Sequence, residues 1–562
     1  MIQQTLIQIL KNAVSAAAPE LGLDPGRVPD PELSAPSRKG FGDWSTNVAL
    51  VVAPHLGRPP REVAQAIAAR VVANARPITR VEVAGPGFIN LFLGRAWLHD
   101  VLREILESGI GFGRGEPRGE RVQVEYVSAN PTGPLHVGTA RNAALGDSLA
   151  NVLEAAGFAV EREYYFNDAN RQVRLYGESV DARYLERFGR PAEIPEGGYH
   201  GAQVTEVAEQ IAAEVGDSLV DVDSGVRRER ILALAVERTM AGIRATLDRF
   251  GVHIDTWRSE AELRRSGAID AAVAELGRRG YTYESEGAVF FRSTEFGDEK
   301  DRVLIRSTGE PTYFAADCAY VLDKAGRGFD HLIYVWGADH HGTVKRVMGA
   351  AQALGVDPAR VEILIHQLVT LYRGGEPVRM SRRAGDYVML DELLDEVGPD
   401  AARYTLVSRS PDSALDFDIE AVARQTMDNP VYYVQYAHAR IASILRVAGE
   451  RGIELVPWRE ASLDSLQEQA ELDLLRTLAE LPEVVTLAAA ARAPHRLPRY
   501  AEAVAAAFHR FYAECRIITE DVARTQARLW LSVSAKQVLA TTLEVIGVAA
   551  PESMERIGDG DR

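Results

Sequence analysis

Residues 121–166, RVQVEYVSANPTGPLHVGTARNAALGDSLANVLEAAGFAVEREYYF, decide the fold. The stretch opens as a strand, with Val122, Val124 and Tyr126 facing one way and Gln123 and Glu125 the other. Pro131, Gly133 and Pro134 then break the chain, His136 follows, and Gly138 keeps the backbone bare. Past the turn, Leu145, Leu149, Val152, Leu153 and Ala156 recur at the spacing of one helix face. GFAVEREYYF, from Gly157, reads as a second strand. Strand, turn, helix and strand make a βαβ unit, and with it a parallel sheet with a right-handed crossover. Ligands of such sheets sit at the carboxyl ends of the strands, and phosphates favour helix N-termini. The turn bearing His136 occupies that position. Read alone, it fits either a loop histidine beside a tight turn or an imidazole that stabilises charge on a bound phosphate.

Composition bounds the rest. At 562 residues the chain is too long for one core, so several domains are expected. Its 46% hydrophobic and 25% charged residues are those of a globular protein. No run approaches the ~18 consecutive apolar residues of a membrane span. The opening MIQQTLIQILKNAVSAAA has no positive charge before its apolar part and reads as an amphipathic helix rather than a signal peptide. Two cysteines, Cys318 and Cys515, cannot build a disulfide framework or a thiolate zinc site. A cytoplasmic protein fits these features. The net charge of −17 argues weakly against nucleic acid, although binding depends on where basic residues cluster. Only six of the 63 basic residues are lysine (Lys11, Lys39, Lys300, Lys324, Lys345 and Lys536), so arginine in a place suited to lysine is partly background.

Along the chain, residues 1–112 form a first unit that ends at the Gly-rich, charged run GFGRGEPRGER. The stretch from 113 to 427 carries the βαβ pattern, interrupted over about 170–295 by a mainly helical insertion, and the sheet pattern returns at HLIYVWG and RVEILIHQLVTL. From 428 to 562 the reading is helical almost throughout. A second chemical signal is YRGGEPVRMSRRAGDYVML, residues 372–390. RGGE suggests a hairpin turn, and Arg379, Arg382 and Arg383 flank Met380 and Ser381 in a polar loop. Guanidinium forks there suit a polyphosphate; the plain alternative is a solvated basic loop. The ADHH run, with His331 or His366, has poor spacing for zinc, and no metal site is expected.

A strand, PxHxG, a helix, and then an MS loop with basic flanks together resemble the HIGH and KMSKS signatures of class I aminoacyl-tRNA synthetases. VEYVSANPTGPLHVG, YHG at 199–201, VWGADHHG and SRSPDSALDFD at 408–418 narrow the likeness to the arginyl-tRNA synthetases. FGDWSTNVAL resembles the N-terminal domain of that family, and FHRFYAECRII with VLATTLEVIGVAAPESM its helical anticodon-binding domain. The resemblance implies a multidomain α/β fold: a Rossmann-like parallel-sheet catalytic domain over 113–427, a small α+β tRNA-contacting domain over 1–112, and an all-α anticodon-binding domain over 428–562. It implies an arginine–tRNA ligase acting on L-arginine, ATP and tRNA(Arg), with Mg²⁺ entering with ATP, no membrane partner and a monomeric state.

Residue roles follow from the same likeness. Pro134, His136, Gly138 and Thr139, with Arg379, Met380, Ser381, Arg382 and Arg383, would bind ATP, and among them His136, Gly138, Thr139 and Arg382 are the catalytic set. Glu125, Asn130, Tyr313, Asp317, Asp339 and His340 would form the arginine pocket, since a permanently charged guanidinium calls for carboxylates and planar acceptors. Tyr313 and Asp317 are i and i+4 and share a face if PTYFAADCAY is helical. Two departures stand out: Thr139 replaces the second histidine of HIGH, and Arg382 stands where the catalytic lysine is usual. Some relatives compensate with a lysine three residues before the first histidine, but Gly133 is there in this chain. Thr139 also suits a helix start, where its hydroxyl would satisfy free amides. These departures motivate an alternative, a catalytically impaired synthetase-like RNA-binding protein. A nucleotidylyltransferase using an HxGH-like turn is a third reading, disfavoured by the long helical C-terminus.

Overall fold

The computed structural model describes residues 2–24, 26, 28–34, 40–71, 77–378 and 388–554. The chain forms two compact units: Met1–Gly109 with Ala448–Ala479 and Arg510–Ser534, and Ile110–Val447 with Glu480–His509 and Ala535–Arg562. In the first unit, strands Leu33–Ser34, Trp44–Thr46, Phe88–Leu93 and Ile78–Ala84 lie side by side in that order as an antiparallel sheet. The N-terminal helix Ile2–Leu21 and the helices Val48–Leu56 and Pro60–Ala68 close over it, burying Leu6, Leu10, Val52, Ile67, Ile89 and Leu91 in one core.

The second unit is built on a five-stranded parallel sheet. Across it the strands run Val361–His366, His331–Gly337, Arg121–Glu125, Ala159–Phe166 and Thr256–Ser259. The chain enters at the middle strand, builds outward to one side, and returns to build the other. The order therefore reverses between Arg121–Glu125 and His331–Gly337, and in open α/β sheets ligands bind in the crevice at such a point. The expected βαβ unit is present, with helix Val137–Ala155 as its crossover. The C-terminal stretch is helical as expected, with helices Pro430–Glu450, Gln469–Leu478, Leu481–Ala490, Arg496–Glu514 and Val522–Val545.

Three sequence expectations are corrected or extended. Arg121–Glu125 alternates in sequence but not in burial: Val122, Gln123, Val124 and Glu125 are all buried, because a central parallel strand is covered on both faces. Gln123 meets its burial by donating to Glu163 Oε2 at 3.0 Å. Helix Val137–Ala155 buries the expected stripe of Leu145, Leu149, Val152 and Leu153, and burial extends well beyond it. Most of it is buried, including Arg141, Asn142, Asp147 and Ser148, while Gly138 and Glu154 are exposed. Finally, within the stretch read as a mainly helical insertion, helices Arg171–Arg187, Ala202–Val215 and Ser224–Arg249 give way to strand Thr256–Ser259, which belongs to the main sheet. A three-stranded antiparallel sheet of Thr282–Ser285, Ala288–Phe291 and Arg302–Ile305 follows.

Arg141 shows how the buried helix positions the site. Its guanidinium donates to the carbonyls of Gln367 and Ser413 at 2.8 Å and of Ser410 at 2.9 Å. One fully buried cation thereby fixes the SRSPDSALDFD segment against the helix that His136 caps.

Candidate active site

A cavity of about 670 Å³ opens at the carboxyl ends of strands Arg121–Glu125 and His331–Gly337, at the point where the strand order reverses. Glu125, Asn130, His136, Gly138, Thr139, Asp317, Asp339 and His340 all line it. Pro134 and Tyr313 do not. Pro134 faces a second cavity of about 380 Å³, and Tyr313 sits half-exposed at the start of its helix. Arg379, Met380, Ser381, Arg382 and Arg383 lie outside the described residues.

His136 is the N-cap of helix Val137–Ala155, with its Nδ1 accepting from Gly138 N at 3.0 Å. Thr139 does not satisfy free amides as expected. Its hydroxyl donates to the His136 carbonyl at 2.7 Å, and the imidazole supplies the cap. Gly138 has a local reason as well as room for a ligand: a Cβ there would lie 2.7 Å from both Cε1 and Nδ1 of His136. The segment around His136 is hydrogen-bonded to the far end of the MS loop, Val137 N to Val388 O at 3.0 Å and Leu390 N to Leu135 O at 2.8 Å. The near end of that loop follows the expected hairpin, Val369–Arg373 against Glu376–Pro377. Gly374 and Gly375 turn it with φ of +58° and +81°, positive at both central positions as a tight two-residue hairpin requires.

The loop after the central strand is strained and over-determined. Val127 and Ser128 take φ of +67° and +44°, unfavourable for a β-branched side chain in particular. Asn142 Oδ1 accepts from Val127 N at 2.5 Å, while its Nδ2 donates to Val335 O at 2.8 Å and to His366 Nε2 at 3.2 Å. One amide thus binds together the ends of neighbouring strands, and burial keeps the His366 imidazole below its usual pKa and able to accept. Ser128 Oγ accepts from Tyr165 N at 3.1 Å and donates to Glu125 Oε1 at 3.0 Å.

Helix Tyr313–Gly326, capped by Thr312, turns Asp317 into the cavity, so the expected helical spacing of Tyr313 and Asp317 holds. The Asp317 carboxylate has no hydrogen bond or ion pair among the described residues. Its pKa is pushed up to about 7, by burial first and then by the carboxylates of Glu260 and Glu125, against a smaller opposing pull from Arg346. The other two carboxylates are compensated. Glu260 receives Arg264 at 2.9 and 2.6 Å and Tyr165 OH at 3.0 Å; Glu125 receives the Lys324 ammonium at 2.5 Å. Among the described residues, Asp317 is thus the inner carboxylate of the cavity left without a cation, while Asp339 stands at the exposed rim beside His340.

Sequence reasoning missed Lys324, Tyr165, Glu260 and Asn142. Lys324 alone left a signal: it is one of six lysines, and it lies seven residues after Asp317, on the same helix face. Asp339 and His340 are exposed on the short 3₁₀ turn Ala338–Thr343, 3.8 Å apart. Among the described residues no group of three His, Cys, Asp or Glu could hold a metal ion, and no helix is long and apolar enough to cross a membrane.

Comparison with known proteins gives the same picture. Residues 102–443 match the catalytic domain of class I (R) tRNA synthetases, residues 4–93 the arginyl tRNA synthetase N-terminal domain, and residues 434–554 the DALR anticodon binding domain. The chain is 49% identical to an arginine–tRNA ligase of Moorella thermoacetica, over 96% of this chain and 97% of the relative. It is 47% identical to that of Desulforamulus reducens, over 98% and 99%. The fold is that of the Thermus thermophilus arginyl-tRNA synthetase structure, with a TM-score of 0.76 at 24% identity over 99% of this chain and 100% of that one. The chain belongs to the arginyl-tRNA synthetase family of class I synthetases.

Proposed function

We propose that this cavity activates L-arginine with ATP and passes the arginyl group to the 3′ end of tRNA(Arg). The observation that carries the reading is Asp317, a cavity carboxylate without a cation among its described neighbours. A guanidinium does not lose its charge, so it is the ligand that supplies what this carboxylate lacks. Tyr313, one turn earlier on the helix, closes over the bound side chain, while Glu125 and Asn130 take the amino-acid end. Asp339 and His340, at the rim, complete the pocket.

In the first step an arginine carboxylate oxygen attacks the α-phosphorus of ATP. The bond to the bridging oxygen breaks, and pyrophosphate leaves with the electron pair. Charge builds on phosphoryl oxygens, so the protein contributes positioning and fixed dipoles rather than covalent chemistry. His136 and the first amides of its helix meet the phosphates, and bare Gly138 admits the adenosine with Thr139 beside it. Arg379, Met380, Ser381, Arg382 and Arg383 form the loop that meets the departing pyrophosphate. The described far end of that loop is hydrogen-bonded to Leu135 and Val137. Mg²⁺ would enter with ATP and would supply positive charge to its phosphates. In the second step the terminal 2′-hydroxyl attacks the arginyl carbonyl and AMP leaves.

We further propose three functional segments, 1–112 for tRNA contact, 113–427 for catalysis and 428–562 for the anticodon, in a cytoplasmic monomer. An impaired relative would have no use for so closely built a carboxylate pocket, which speaks against the RNA-binding alternative. The test is charging of tRNA(Arg) with radiolabelled arginine. Incorporation that requires ATP and is not competed by excess citrulline, the uncharged isostere, is expected; equal competition by citrulline would contradict the reading.

A further inference from the structure

Lys324 is fully buried, near the end of helix Tyr313–Gly326. Its Nζ lies 2.5 Å from Glu125 Oε2, 3.7 Å over the ring of Tyr334 and 4.7 Å over that of Tyr320. Stability does not explain a lysine here. A buried ion pair is on average no more stabilising than an apolar pair of the same volume, and methionine would pack well between two tyrosines. What a lysine adds is charge, immediately behind a carboxylate that lines the cavity.

The surrounding groups sharpen the point. Around Glu125 stand Lys324, Tyr320 and Asp317 from one helix, Tyr334 from the neighbouring strand, and Tyr165 and Glu163 from the strand on the other side. Glu163 is neutralised by Arg327, and Glu260 by Arg264. Without Lys324, Glu125 and Asp317 would be two uncompensated carboxylates facing one cavity.

We propose that Lys324 is a specificity-determining positioning residue: it neutralises and aims Glu125, so that Asp317 is the inner carboxylate left to select an amino acid with one cationic side chain. The inference rests on the activity proposed above. Lys324 touches no reacting atom and acts through Glu125, which its ammonium and the Ser128 hydroxyl hold from opposite oxygens.

The test compares Lys324→Gln, which keeps a hydrogen-bond donor and removes the charge, with Lys324→Arg, which keeps the charge. Arginine-dependent exchange of pyrophosphate into ATP is measured on the full chain with tRNA present. For Lys324→Gln at pH 7, kcat/KM for arginine should fall by about 30-fold, mostly through KM, with the KM for ATP within about twofold of wild type. Lys324→Arg should stay within about fivefold of wild type under the same conditions. An unchanged arginine KM in Lys324→Gln, or equal losses in the two variants, would overturn the proposal. If Lys324→Gln does not melt cooperatively, Lys324→Arg decides: a folded variant with arginine KM raised about tenfold or more would contradict it, and one within about fivefold supports it. An inactive wild type would instead indict the activity itself.

Discussion

At the scale of single residues, the site turns on which charges are already paired. Glu125, Glu163 and Glu260 have their cations; among the described residues Asp317 has none. Its raised pKa carries a sign that can be worked out. A guanidinium binds the ionised form, so arginine affinity should rise with pH and level off above about 8, being about tenfold weaker at pH 6. Calorimetry across this range checks it, and the pH step should vanish in Asp317→Asn. The stability consequence has the opposite sense. A carboxylate raised from 3.8 to about 7 favours the empty fold below its ordinary pKa, and that contribution is lost as pH rises toward 7. The empty Asp317→Asn protein should therefore melt higher than wild type at pH 8. Among single residues, the sequence made His136, Gly138 and Asp317 legible because each sits in a short motif. It did not show that Thr139 binds the His136 carbonyl rather than free amides, since both contacts suit a threonine at a helix start.

At the scale of elements, the parallel sheet was legible from one strand–turn–helix–strand stretch, and the details it did not show share a cause. Alternation in RVQVE set Gln123 and Glu125 on the face opposite Val122 and Val124, but did not show that both are buried against Glu163 and Lys324 from distant segments. Strand Thr256–Ser259 escaped notice because four residues, TWRS, carry no period of their own and are recruited by pairing with Tyr164 and Phe166. Buried charge is also what holds these elements together. Arg141→Met would leave the carbonyls of Gln367, Ser410 and Ser413 without their buried donor, at a cost on the order of 3 kcal/mol. A denaturant series should show that loss as a lower midpoint with little change in slope. A shift below about 0.5 kcal/mol would mean that water replaces the guanidinium.

At the scale of the molecule, the family likeness was legible because its motifs recur in order over nearly the whole chain, and identities of 47–49% to bacterial arginine–tRNA ligases bear it out. What no motif could give is the charge balance of the cavity, which depends on side chains from positions 125, 163, 260, 264, 317, 324 and 327. The central claim is that this balance reads a guanidinium. Its most direct test is pyrophosphate exchange into ATP at pH 8 with tRNA(Arg) present, for wild type and Asp317→Asn, with arginine or citrulline as substrate. The account predicts exchange by wild type with arginine only, and a fall of about 100-fold or more in kcat/KM for arginine in Asp317→Asn, with the KM for ATP unchanged. Folded wild-type protein that gives no exchange, or an Asp317→Asn variant that uses arginine as well as wild type does, would contradict it.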